Sequence, residues 1–224
     1  MKNVFYAVLA LIICGCKTKT TVEPVVRQTT FSKVLILGNS ITKHPQDLSI
    51  GWAGDWGMAA SAADKDYVHL LTNKFQTANK QCTIEIGTIG GFEFDSNNFD
   101  FDANLKTFRD YKPDLLILRI GENVQPGTDT IAFDKRYQAL IGYMKINNPA
   151  LHILAVGSFW PGRDYVNHIM AKYTPYVSLE PLGITYANYA IDLIGVSDGV
   201  KQHPNDKGMQ GIADTIWAKV QKLR

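Results

Sequence analysis

The feature that most constrains the fold is a regular alternation of short, apolar, β-branched runs with longer segments of helical period. The runs at 33–37, 83–86, 114–120, 152–156 and 184–187 are short, rich in apolar and β-branched residues, and in this arrangement read as strands of a parallel sheet buried on both faces. Stretches of helical character fall between them, at 64–77, 104–111, 131–146, 163–173 and 207–223. In the last, Met209, Ile212, Ala213, Ile216, Val220 and Leu223 recur at helical spacing and form one apolar stripe. This succession of βαβ units predicts an α/β domain with a five-stranded parallel sheet between two helical layers. Two long segments without a period, 44–63 and 188–205, interrupt it, and loops of that length in a compact domain tend to carry function.

The 224 residues suffice for one domain with a full core. A formal net charge of +2, from 23 basic and 21 acidic residues, comes with no polybasic run or acidic block, so nothing points to a nucleic-acid partner. Ahead of the domain, Lys2 precedes an unbroken apolar run over 4–13 of signal-peptide length, too short to span a bilayer comfortably. The run leads into Cys14-Gly15-Cys16, which resembles the lipobox of bacterial lipoproteins. The expectation is a signal at 1–16 with Cys16 as the lipidation site, a flexible tether at 17–32 and a domain at 33–224. That makes the chain an exported lipoprotein of the periplasm or cell surface, held to the membrane by the lipid anchor alone. A plain cleaved signal with free Cys16 is the alternative. Cys82 is the one cysteine inside the domain, which leaves no intradomain disulfide and reads as a buried thiol.

In open parallel sheets the ligand lies beyond the carboxyl ends of the strands. The residues there are Gly38-Asn39-Ser40-Ile41-Thr42, Gly87-Thr88-Ile89-Gly90-Gly91, Gly121-Glu122-Asn123 and the segment from Asp198 to Pro204. A hydroxyl, small residues that bare backbone N–H groups, a side-chain amide and a histidine thus meet at one edge. These are the components of acyl transfer: a nucleophile, a base and donors for an oxyanion.

These segments resemble, in order, the four short blocks of the SGNH (GDSL-like) hydrolases. GNSIT is similar to the first block, with Asn39 where many members have Asp, and the resemblance makes Ser40 the nucleophile. TIGGFE resembles the second and selects Gly91 as a backbone donor, with Gly90 as the alternative. GENV is similar to the GxND block and gives Asn123 as the amide donor. DGVKQHPND supplies His203 as the base, with Pro204 beside it. The family aspartate lies three residues before the histidine, where this chain has Val200. Asp198 is the candidate acid; a Ser-His dyad oriented by a backbone carbonyl, or Asp206, is the alternative. The implied fold is the flavodoxin-like three-layer α/β/α sandwich, strand order 2-1-3-4-5. The implied activity is cofactor-free hydrolysis of small acyl esters.

Around this edge the sequence places Trp52, Asp55 and Trp56 after the nucleophile, Glu122 in the third block, and Trp160 and Arg163 after the fourth strand. Aromatic faces flanked by hydrogen-bonding groups suit a sugar ring, so these six are the candidate substrate-binding residues and an O-acetylated glycan the candidate substrate. Packing of the long loop onto the body is the alternative role for the tryptophans. His44, His69, His152 and His168 show no ligand spacing, so no metal is expected. A lipase or phospholipid acyl hydrolase, and a glycan-binding lipoprotein of the same fold without catalysis, are the competing functions. Oligomeric state is not legible.

Overall fold

The computed structural model describes residues 31–223. The expected signal, Cys16 and most of the tether lie outside the described residues. The end of that tether does not: Phe31 is buried in the core and meets the His152 ring edge-on at 5.7 Å, and the Ser32 N–H donates to Asp114 at 2.7 Å. The packed domain therefore includes 31 and 32.

Five parallel strands form one sheet in the order β2-β1-β3-β4-β5: β1 Lys33–Gly38, β2 Thr83–Thr88, β3 Leu115–Arg119, β4 His152–Val156 and β5 Tyr176–Val177. The expected order holds, and four strands fall on the apolar runs that announce them. The fifth does not. Residues 184–187 follow a short helix and enter a 3-10 turn, with Ile184 68% and Tyr186 70% exposed. Their β-branched and aromatic side chains have no sheet neighbour, whereas Tyr176 and Val177 pair with Ala155 and Val156.

The helices are α1 Tyr67–Ala78, α2 Gly90–Phe94, α3 Phe101–Asp110, α4 Thr130–Met144, α5 Asp164–Tyr173, α6 Glu180–Gly183, α7 Asp198–Lys201 and α8 Asp206–Val220. Asp66, Asp100, Asp129 and Asn205 accept N–H bonds at the starts of α1, α3, α4 and α8, each satisfying backbone donors that a helix leaves free. Alternate residues of β1 enter opposite layers. Val34 and Ile36 pack with Leu71, Met209 and Ile216 from α1 and α8; Leu35 and Leu37 pack with Leu105, Phe133 and Met170 from α3, α4 and α5. Each such Leu or Ile contributes about 1.5–3 kcal/mol relative to exposure, which is why β1 and β3 read as continuous apolar runs.

The two aperiodic segments pack against each other. The Ser197 N–H donates to the Ile50 carbonyl at 2.9 Å, and Trp52, Met58, Ala59, Ala190 and Val200 form a small core of their own. Together they wall one side of the sheet's carboxyl edge.

Candidate active site

Gly38 ends β1 and lets the chain turn closely: a Cβ there would lie 1.9 Å from Thr42 Oγ1 and 2.8 Å from the Arg119 carbonyl oxygen. The turn that follows sets Ser40 at the mouth of the sheet, held by the Met58 N–H, which donates to the Ser40 carbonyl at 2.9 Å. Ser40 Oγ lies 2.8 Å from His203 Nε2. The other ring nitrogen, Nδ1, lies 2.8 Å from the Gly199 carbonyl oxygen. A carbonyl only accepts, so Nδ1 carries the hydrogen and Nε2 is left to accept from the serine. His203 is 6% exposed. Burial holds the imidazole well below its ordinary value, at about 4, against the opposing pull of the Gly199 bond. It is a neutral base at ordinary pH.

Asp198 does not orient His203. It stands at the start of α7, 91% exposed, with its carboxylate toward Lys201 at 3.3 Å. Ser197 caps this four-residue helix and Val200 points inward, 1% exposed, into the core of the two long loops. Burial of Val200 fixes the rotation of α7 and turns Asp198 to solvent. Asp206 is also occupied elsewhere, accepting from the Ser61 N–H and hydroxyl. Of the arrangements the sequence allows, the structure contains the dyad with a backbone carbonyl.

A cleft of about 390 Å³ opens over Ser40 and His203, and Asn123 and Gly90 line it. Gly90, not Gly91, lines this cleft with the serine; a Cβ added at Gly91 would meet Phe99, and one added at Gly90 would come within 4.0 Å of Asn39 and Glu93. The reason is α2, a helix that the paired glycines conceal in the sequence and that begins at Gly90. The N–H groups of Ser40 and Gly90 find no acceptor among the described residues.

Behind the serine lies a buried ionic network. Arg119, 0% exposed, donates to Asn39 Oδ1 at 2.8 Å and forms a very close ion pair with Glu122. Asn39 Nδ2 donates to Glu122 at 2.7 Å and to Glu93 at 3.1 Å. With two carboxylates facing it, this position needs a donor, which accounts for Asn39 where many members of the resembled family have Asp. Glu93 also receives the Gly121 N–H at 2.5 Å, the Asn123 N–H at 3.2 Å and Asn123 Nδ2 at 3.0 Å. Gly121 reaches it with φ of 130°, a backbone region open to glycine. Burial alone would raise Glu122, but Arg119 beside it, the Phe159 N–H and the Asn39 amide outweigh burial and hold it low. Burial, and then the Glu122 charge, push Glu93 upward. Every hydrogen-bond partner of Glu93 is nevertheless a donor, so the arrangement fits its carboxylate form.

None of the six candidate substrate-binding side chains lines this cleft. Glu122 is consumed in the network. Trp52 is 6% exposed and donates to the His44 carbonyl, so it packs the loop onto the body. Trp56 donates to the Ala60 carbonyl and shares with Asp55 a separate cavity of about 150 Å³. Trp160 donates to the Gln202 carbonyl and presents its ring edge-to-face to His203 at 5.7 Å. Arg163 donates to the Glu122 carbonyl. The walls come instead from Lys43, His44, Pro45, Ile50 and Met58, and from Phe94, which is 68% exposed. The segment 44–63 did flag most of these as a group. His44, which the sequence marks only as lacking metal-ligand spacing, is among them. Cys82 is buried as expected, and burial pushes its thiol up to about 11.

Fold and site together give a three-layer α/β/α sandwich with a five-stranded parallel sheet and a Ser-His pair at the carboxyl edge of that sheet. No protein-family model matches the chain, and a comparison with curated proteins also finds no match. Among solved structures, the chain is similar to a two-domain esterase active on acetylated mannans, co-crystallized with mannopentaose, at TM-score 0.57 and 20% identity. That match covers 85% of this chain and 49% of the esterase, so the chain spans about half its length. A family two carbohydrate esterase from Cellvibrio japonicus matches at TM-score 0.56 and 18% identity, covering 85% and 62%. A protein assigned as a GDSL-like lipase from Parabacteroides merdae matches at 0.58 and 18%, covering 90% of this chain and all of its own.

Proposed function

We propose that the protein is a serine esterase that removes small acyl groups, acetyl above all, from carbohydrate. The observation that carries this reading is the 2.8 Å contact between Ser40 Oγ and the Nε2 of a histidine whose Nδ1 is engaged by a carbonyl. His203 takes the Ser40 proton as Oγ bonds to the ester carbon and the carbonyl electron pair moves onto oxygen. The N–H groups of Ser40 and Gly90 and the Asn123 amide receive that oxyanion. Collapse breaks the bond to the alcohol oxygen, which takes the proton from His203. Water, deprotonated by His203, then releases the acid and returns Ser40.

The glycan substrate is supported by the carbohydrate esterases that share the fold and by the size of the cleft, which suits a short acyl group. Export on a lipid anchor at Cys16 is consistent with such a substrate and is part of the proposal. A fluorophosphonate probe is expected to label wild-type protein and not Ser40→Ala, and acetate is expected from acetylated glucomannan or xylan. Absence of labelling overturns the esterase reading; release from long-chain esters alone overturns the glycan assignment in favour of a lipase.

A further inference from the structure

We infer that Glu93 is a positioning residue that assembles the oxyanion site from three separate loops; this rests on the esterase reading. The donors proposed for the oxyanion come from different places: Ser40 follows β1, Gly90 opens α2, and Asn123 follows β3. No hydrogen bond joins these three donors directly among the described residues. One carboxylate links their loops. Glu93 stands three residues beyond Gly90 on α2, accepts from Asn39 next to the serine, and accepts from Gly121 and from both nitrogens of Asn123.

The contact with Asn123 carries the most chemistry. A primary amide has two N–H bonds about 120° apart. Glu93 Oε2 takes one of them at 3.0 Å, and Asn123 lines the cleft over Ser40. Fixing one N–H therefore fixes the direction of the other, with no rotation left to be lost when an oxyanion forms. Preorganisation of this kind separates a donor that accelerates the reaction from one that merely lies nearby. The carboxylate is itself 3% exposed and held by donors from two flanking loops, so it is a rigid template. Glu93 touches no substrate in this scheme.

The test is a double-mutant cycle on the full chain, with 4-nitrophenyl acetate as substrate. Glu93→Gln keeps the shape but turns an NH₂ toward donors. It is expected to lower kcat by at least tenfold while KM changes less than threefold. Asn123→Ala alone is expected to lower kcat by about 10²–10³-fold, the range for loss of one oxyanion donor. The combined variant is expected to be slower than Asn123→Ala by clearly less than the factor that Glu93→Gln costs alone, because part of the effect of Glu93 runs through that amide. Multiplying effects, a kcat within twofold of wild type, or a change confined to KM overturns the inference. If Glu93→Gln does not fold, Glu93→Asp, which keeps the charge on a shorter stem, enters the same cycle with the same criteria. Wild-type protein without hydrolysis or probe labelling would refute the esterase reading itself, an outcome distinct from each of these.

Discussion

The two halves of the Ser-His pair are held by contrasting means. On the serine side, Asn39, Glu93, Arg119 and Glu122 form a buried network in which charge meets charge across the ends of β1, α2 and β3. On the histidine side, one peptide carbonyl on a four-residue helix orients the ring, and apolar packing of Val200 places that helix. The difference shows where the fold concentrates its electrostatics: at the place where negative charge would develop on an oxyanion, and away from the base.

Substitutions on the two sides are expected to fail in different ways. The largest effect belongs to Arg119→Met, which leaves Glu122 buried without its cation. Stability is expected to fall by about 3–5 kcal/mol, the range for breaking a buried pair, as read from urea unfolding. Adding Glu122→Gln should recover part of it. A loss under 1 kcal/mol would mean that the network is decorative.

On the histidine side the expected effect depends on pH. The folded His203 is held at about 4, below the ordinary imidazole value of 6.5, so the unfolded chain takes up the proton first. Its contribution is complete above about 6.5 and is lost as pH falls toward 4, amounting to about 3 kcal/mol. Glu93, shifted the opposite way, titrates over part of the same window, so the comparison must be with His203→Gln. Wild type should lose stability relative to that variant between pH 7 and pH 4. Parallel stability curves would show that burial does not hold the ring neutral. The smallest effect is at Asp198, where Asp198→Asn should change kcat less than twofold. A hundredfold loss would restore it as the acid and erase the contrast.

Legibility in the sequence followed the same divide. Strands β1 and β4 and helices α1, α4, α5 and α8 are local patterns and could be read, as could the placement of Ser40 and Asn123 after strands and of His203 ahead of the last helix. Strand β5 has two residues, too few to show a period, while 184–187 has strand composition and nothing to pair with. Asp198 was misplaced because the rotation of α7 is decided by Val200 meeting Trp52 and Met58 from a distant loop. Glu122 is expected from its place after a strand to bind substrate, yet Arg119 within an otherwise apolar run was the available sign of a buried charge needing a partner. Glu93 gave no local sign at all. Its partners come from other segments and meet only when the sheet forms.

The Gly199 carbonyl has a consequence for reactivity. A peptide dipole carries no net charge, so the imidazolium formed during acyl transfer is met by a partial charge where a carboxylate would offer a full one. Proton abstraction then draws more of its driving force from the substrate. In a linear free-energy plot, the rate of acylation should depend steeply on the acidity of the departing alcohol, and an ester of an acidic hydroxyl should be cleaved well ahead of one made from a simple aliphatic alcohol.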